Sequence, residues 1–361
     1  MARPFRLGVL CLALAGWVSV VHAQAPGQTR ANLRPVEDAP AGPAGPAEPL
    51  LDTREAMRGL IERISRYAKG LKPDFIVAVQ GGREILTKSD EEAADNPPPA
   101  KAYLKSIDAI LLDGLRFGPR ELDEEPPEAR TEALMKAAAI AKNAGLTVLT
   151  LDYAKETKHI LEALRANFKD GFVPFVGQAQ PANLSRIPRV PYRPFREDAH
   201  SVISMKDVKN YLYLRETQGF GREDEFALKL HATNFDLVIV DVFHGRKPLS
   251  KRAVDTLRYK QTGSRRLVLA YVDIGSAASY HYYWQDGWRE GAPAWIGAPH
   301  PRDPDRYYVE FWRPEWQAIL FGTPTSYIYG TFAQGYDGVL LGGLDSLRFA
   351  EGGMEAVSTR R

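Results

Sequence analysis

The chain carries carboxylates at the ends of its apolar runs, where acid–base chemistry would need them. Asp113 follows the run 107–112, Asp152 follows 148–151, Asp241 follows 237–240, and Asp273 lies near the end of 267–274. Runs of this kind read as buried parallel strands, and the loops at the C-terminal ends of such strands are where α/β folds place chemistry. Two carboxyls held together there supply a general acid and a general base. By strand alternation Asp273 and Gly275 share a face, so Asp273 is expected to point inward, where a paired carboxylate has a raised pKa. Gln80 in Gln80-Gly81-Gly82, Tyr153 beside Asp152, Tyr271, Ser276 and Asp345 are candidate contacts for a bound ligand. Tyr283, Trp284 and Trp312 carry rings that can stack on a ligand face, although aromatics beside a strand are more often core.

These residues need a scaffold, and the hydropathy pattern supplies one. Apolar runs at 75–79, 107–112, 147–151, 172–176, 237–240, 267–274, 307–311 and 338–341 read as eight strands. Helical patterns at 132–143 and 251–260 separate some of them, and a first helix over 53–69 takes Thr53 as its cap and Met57, Leu60, Ile61 and Ile64 as its buried stripe. Strand–helix alternation implies a parallel sheet. Eight such strands with few hairpin signals predict a single-domain (β/α)8 TIM barrel over 52–353, with an open doubly wound sheet as runner-up. No Gly-x-Gly-x-x-Gly follows the first strand and no P-loop occurs, which argues against nucleotide chemistry. A net charge of +2 without a basic stripe argues against nucleic acid.

Residues 1–23 read as a secretory signal: Arg3 and Arg6, an apolar run over 7–21, then Val21-His22-Ala23. That run, at about 15 residues, is shorter than the roughly 20 that cross a bilayer. Residues 24–51, rich in Pro, Ala and Gly, read as a disordered tether, and 354–361 as a tail. The one cysteine, Cys11, falls in the signal. The expected product is therefore thiol-free, and secreted or periplasmic.

The blocks LVLAYVDIGSAASYHYYW at 267–284, YYVEFWRPEW at 307–316 and GYDGVLL at 335–341 resemble glycoside hydrolase family 114, the endo-α-1,4-polygalactosaminidase-like barrels. In the family's usual order the strands like 75–79 come after these blocks; here they come first, which implies a circular permutation that a closed barrel tolerates. The resemblance implies hydrolysis of internal α-1,4 bonds in an amino-sugar polysaccharide by two carboxyl groups roughly 5 to 9 Å apart, without a cofactor. It makes Asp241 and Asp152 family acids, with Asp113 standing near a family Glu and Gln80 at a family Gln. The chain departs from the pattern where Ser276 replaces the Glu expected as catalytic acid and Gly342 replaces an Asp.

Two functional expectations follow. In one, nearby acids take over catalysis, with Asp241 and Asp273 as the pair and Glu310 and Asp345 beside them. In the other, the barrel binds polysaccharide without hydrolysing it. A Ser276–His281 hydrolase fits poorly, because Gly-Ser-Ala-Ala-Ser is not a nucleophile elbow. The seven histidines show no metal spacing, and His244 reads as a turn residue near Asp241.

Overall fold

The computed structural model describes residues 51–88, 97–118, 120–179 and 184–352; the expected signal, nearly all of the tether and the tail lie outside them. The chain enters through helix α1 (Thr53–Leu71), which buries Met57, Leu60, Ile61 and Ile64 completely. This is the i, i+3, i+4, i+7 stripe that a 3.6-residue period demands. Its cap is Asp52 rather than Thr53: the Asp52 carboxylate accepts the Glu55 N–H at 2.9 Å, while Thr53 is the first helical residue.

Eight parallel strands follow: β1 (Ile76–Gln80), β2 (Ala109–Asp113), β3 (Thr147–Tyr153), β4 (Val173–Gly177), β5 (Tyr211–Leu214), β6 (Leu237–Asp241), β7 (Leu267–Asp273) and β8 (Gly338–Gly342). They lie in the order β4-β3-β2-β1-β8-β7-β6-β5, so the first strand pairs with the last. Helices α2 (Lys101–Ser106), α3 (Glu128–Asn143), α4 (Thr157–Lys169), α5 (Glu223–His231), α6 (Lys251–Leu257), α7 (Pro314–Leu320) and α8 (Tyr327–Gln334) lie between strands, and α9 (Asp345–Ala350) follows the last one. The sheet is nearly closed. At the remaining seam, between β4 and β5, the Phe175 and Tyr211 rings meet at 5.3 Å and the Tyr211 hydroxyl donates to the Thr150 carbonyl at 2.9 Å. The fold is a (β/α)8 barrel, as the alternation predicts.

One predicted barrel strand is misplaced. Residues 307–311 do not enter the barrel; they overlap Asp303–Val309, which pairs antiparallel with Ser276–Ala278 and Ile296–His300 in a small sheet on the excursion between β7 and α7. The true fifth strand is the four-residue Tyr211–Leu214, too short and too close to a Pro-rich stretch to announce itself.

A repeated device ties the lower rim together. Asp108, Asp236 and Asp337 each stand one residue before a strand, and each accepts a backbone N–H from the neighbouring strand or its lead-in: Val77 at 2.8 Å, Lys209 at 2.9 Å and Val268 at 3.0 Å. Asp236 is also ion-paired with the fully buried Lys260 at 2.6 Å. Acids before the strands are thus structural, which leaves the acids after them to form the opposite face.

Candidate functional site

Register decides which side chains meet at the mouth. In parallel pairing Asp241 stands beside Tyr271, Asp273 beside Gly342, Leu340 beside Ala78, Gln80 beside Leu111, and Asp113 beside Leu151. Residues paired this way point to the same side, and alternate residues along one strand do so too. The inner face therefore collects Gln80, Asp113, Tyr153, Tyr213, Asp241, Tyr271 and Asp273. Asp241 and Asp273 lie on adjacent strands one pleat apart, which places their Cα atoms about 8 Å from each other.

On one side of the mouth a polar chain runs from the Tyr213 hydroxyl to Gln80 Oε1 at 2.9 Å and from Gln80 Nε2 to Asp113 Oδ2 at 3.4 Å. The second oxygen of Asp113 is buried without a hydrogen-bond partner. Burial, with Asp152 adding to it against the opposing charge of Arg130, pushes the Asp113 carboxyl up to about 6. A carboxyl so tuned exchanges protons near neutrality.

On the other side Asp241 keeps one oxygen on the Phe243 N–H at 2.9 Å and remains partly exposed. Burial raises its pKa, with Arg215 and the Phe243 hydrogen bond opposing. Asp273 is held differently. Its Oδ1 accepts the N–H groups of Gly275 at 3.1 Å and Ser276 at 2.9 Å, and its Oδ2 faces Arg306 at 3.3 Å and the Tyr271 hydroxyl at 3.4 Å. It is paired with a cation rather than with a second carboxyl, contrary to the expectation from the sequence.

The two departures from the family pattern have local structural correlates. Ser276 is 3% exposed and its Oγ accepts from Arg306 at 3.1 Å, so it contacts the same guanidinium as Asp273 rather than open space. A Cβ at Gly342 would stand 2.3 Å from Cε2 of Tyr271. The Tyr271 ring occupies the room that an acidic side chain on β8 would need.

Several expected contacts lie elsewhere. Asp152 points outward from β3, accepting from the N–H groups of Arg116 at 2.6 Å and Phe117 at 3.1 Å and from Asn167 of α4 at 2.6 Å. It is fully buried and anchors that loop to α4, so no sugar hydroxyl reaches it. Asp345 is tied to His300 at 2.9 Å, and Glu310 to Arg313 at 3.4 Å. Tyr283 accepts the Ala278 N–H at 3.2 Å and packs on Trp316, Trp284 stacks on Tyr307 at 5.4 Å, and Trp312 packs edge-on to Phe311 at 4.9 Å. These three rings build the excursion as much as they line it. His244 bridges Thr217 and the Gly221 carbonyl, each at 2.8 Å, as a turn residue. His281 stacks on Phe243 at 4.5 Å, and burial followed by the charges of Arg306 and Arg215 holds it down at about 3, which leaves it neutral.

Two site residues escape the sequence reading. Arg306 comes from the antiparallel excursion, and Arg215 follows the unrecognised strand β5, where its guanidinium lies 3.5 Å above the Tyr271 ring. A two-residue extension of the Tyr211, Tyr213 alternation was the available signal for Arg215; Arg306 had none.

No family model matches the chain. It is similar to uncharacterized proteins of Deinococcus radiodurans (36% identical over 32% of this chain and 35% of that protein), Methanocaldococcus jannaschii (31% over 34% and 34%) and Thermotoga maritima (29% over 37% and 39%). The matches thus span little more than a third of each relative's length. Among solved structures, an Ignisphaera aggregans GH53 catalytic domain aligns with 75% of this chain and 85% of that one, at a TM-score of 0.36 and 12% identity.

Proposed function

We propose that this barrel is an exported, family 114-like glycoside hydrolase that cleaves internal α-1,4 bonds of an amino-sugar polysaccharide. The observation that carries the reading is the set of carboxyls on the inner face of the mouth. Asp241 has its pKa raised by burial and retains an oxygen for a ligand, while Asp273 sits one strand away in an ion pair. Carboxyls in such unlike surroundings divide into an acid and a base. Asp241 donates its proton to the glycosidic oxygen as the C–O bond breaks, the charge of Asp273 supports the oxocarbenium-like transition state, and a water molecule adds to the anomeric carbon and returns a proton to Asp241. Asp113 and Gln80 hold sugar hydroxyls across the mouth, and Tyr153 and Tyr271 form its walls. Export rests on the pattern of residues 1–23, and no cofactor enters the chemistry.

A second reading is favoured by the contacts of Asp273. Two backbone N–H groups, Arg306 and Tyr271 occupy both of its oxygens, which suits a mouth that binds polysaccharide without turnover. Reducing-end release from α-1,4-linked galactosamine oligomers, partly or fully N-acetylated, separates the two when run beside a binding titration and the Asp241→Asn variant. Product that falls at least about 100-fold in the variant, with binding retained, supports hydrolysis. Saturable binding without product supports recognition alone, and the absence of both refutes the carbohydrate reading.

A further inference from the structure

Two arginines buried among the described residues each hold several acceptors. Arg266 donates to the carbonyls of Thr233 and Tyr259, both at 2.6 Å, and of Leu230 at 3.3 Å, and to the Thr233 hydroxyl at 2.9 Å. Arg306 divides its donors among Asp273, Ser276 and Tyr280. Arg215 has no comparable set. Its Nε, like that of Arg266, is buried without an acceptor, but no described carboxylate forms an ion pair with it, and its guanidinium lies over the Tyr271 ring and beside the Tyr213 hydroxyl. It nevertheless stands on the inner face of the mouth, partly exposed, within electrostatic reach of Asp241 and Asp273. A half-buried guanidinium with an unpartnered Nε and no carboxylate of its own is a ready donor to a ligand, since unmade hydrogen bonds to an enclosed charge are costly.

We propose that Arg215 is a specificity-determining residue that donates to the acyl carbonyl of an N-acylated amino sugar bound at the mouth; this deepens, and rests on, the carbohydrate reading above. Charge selects among the alternatives. The ammonium of a free-amine sugar has no lone pair to accept from Arg215 and would be drawn to the acids instead. A uronic acid would add a carboxylate to a mouth that already holds Asp113, Asp241 and Asp273. An acyl carbonyl is neutral, points a lone pair at the guanidinium, and leaves the acids free for hydroxyls.

The test is calorimetric titration of the full chain with three oligomers of equal length: α-1,4-linked N-acetylgalactosamine, α-1,4-linked galactosamine and α-1,4-linked galacturonate. The wild type is expected to bind the acetylated oligomer on the order of 10- to 100-fold more tightly than the other two, the range of one charge-assisted hydrogen bond. Arg215→Gln should shrink that preference to within about threefold. Arg215→Lys, which keeps the charge but loses the planar fork, should shrink it by several-fold, and it serves as the readout should the glutamine variant not fold. An unchanged preference in whichever variant is folded overturns the assignment, as does wild-type binding with no preference or in favour of another oligomer; in these cases the carbohydrate reading stands. No binding of any oligomer overturns both.

Discussion

Asp113 should make the stability of the barrel depend on pH. Its carboxyl is pushed from an ordinary 3.8 up to about 6, chiefly by burial. An acid whose pKa is higher in the folded chain than in the unfolded one favours folding when protonated. Its stabilising contribution is complete below about pH 4 and is lost as pH rises through about 6. The shift corresponds to about 3 kcal/mol. Replacing Asp113 by Asn removes the ionisation while keeping an oxygen for Gln80 and an amide for the buried position that now lacks a partner. The variant should therefore be more stable than the wild type at pH 8, by up to about 3 kcal/mol, and equal to it near pH 3.5. For a domain of about 300 residues that is a rise in Tm of about 5 °C. Thermal melts of both proteins by circular dichroism, in steps from pH 3.5 to 8, would trace the difference. A gap in Tm that does not change with pH, or a variant less stable than the wild type at pH 8, would refute the idea that desolvation dominates at Asp113.

Two further substitutions probe the scaffold under the mouth. Asp236→Ala leaves Lys260 charged in a site where neither partner is more than 1% exposed, so urea unfolding should show a loss of about 3 to 5 kcal/mol, whereas Lys101→Ala on an exposed surface should change little. Gly342→Ala drives a methyl to within 2.3 Å of the Tyr271 ring and should cost about 1 to 3 kcal/mol, a penalty that Tyr271→Ala in the same chain relieves; additive losses in the double variant would contradict the contact.

Much of the fold is legible in the residues. Runs such as 237–240 and 338–341 are apolar, β-branched and bounded by turn residues, and they emerge as barrel strands within a residue or so. The stripe of Met57, Leu60, Ile61 and Ile64 is the core face of α1. The fifth strand is not legible, because four residues of Tyr and Leu carry too little pattern to outweigh the longer run at 307–311. Nothing local distinguishes that longer run, which belongs to an antiparallel sheet, from a barrel strand. The pairing partner decides, and it lies some thirty residues back at Ser276–Ala278.

The candidate site divides in the same way. Residue order alone determined that acids end several strands, and that Asp241 and Asp273 close adjacent members of the set. Tertiary structure decided which of them look inward. A parallel strand buried on both faces has no polar side to mark its outside, so Asp152 and Tyr153 are equivalent in sequence, yet register sends Tyr153 into the mouth and Asp152 to α4. Only folding could bring Arg306 across 33 residues to Asp273 and set Arg215 over Tyr271, because these contacts depend on how an excursion and a seam strand close over the barrel. Period and composition are local properties of the chain, whereas the partners of a charge are set by the strands that come to lie beside it.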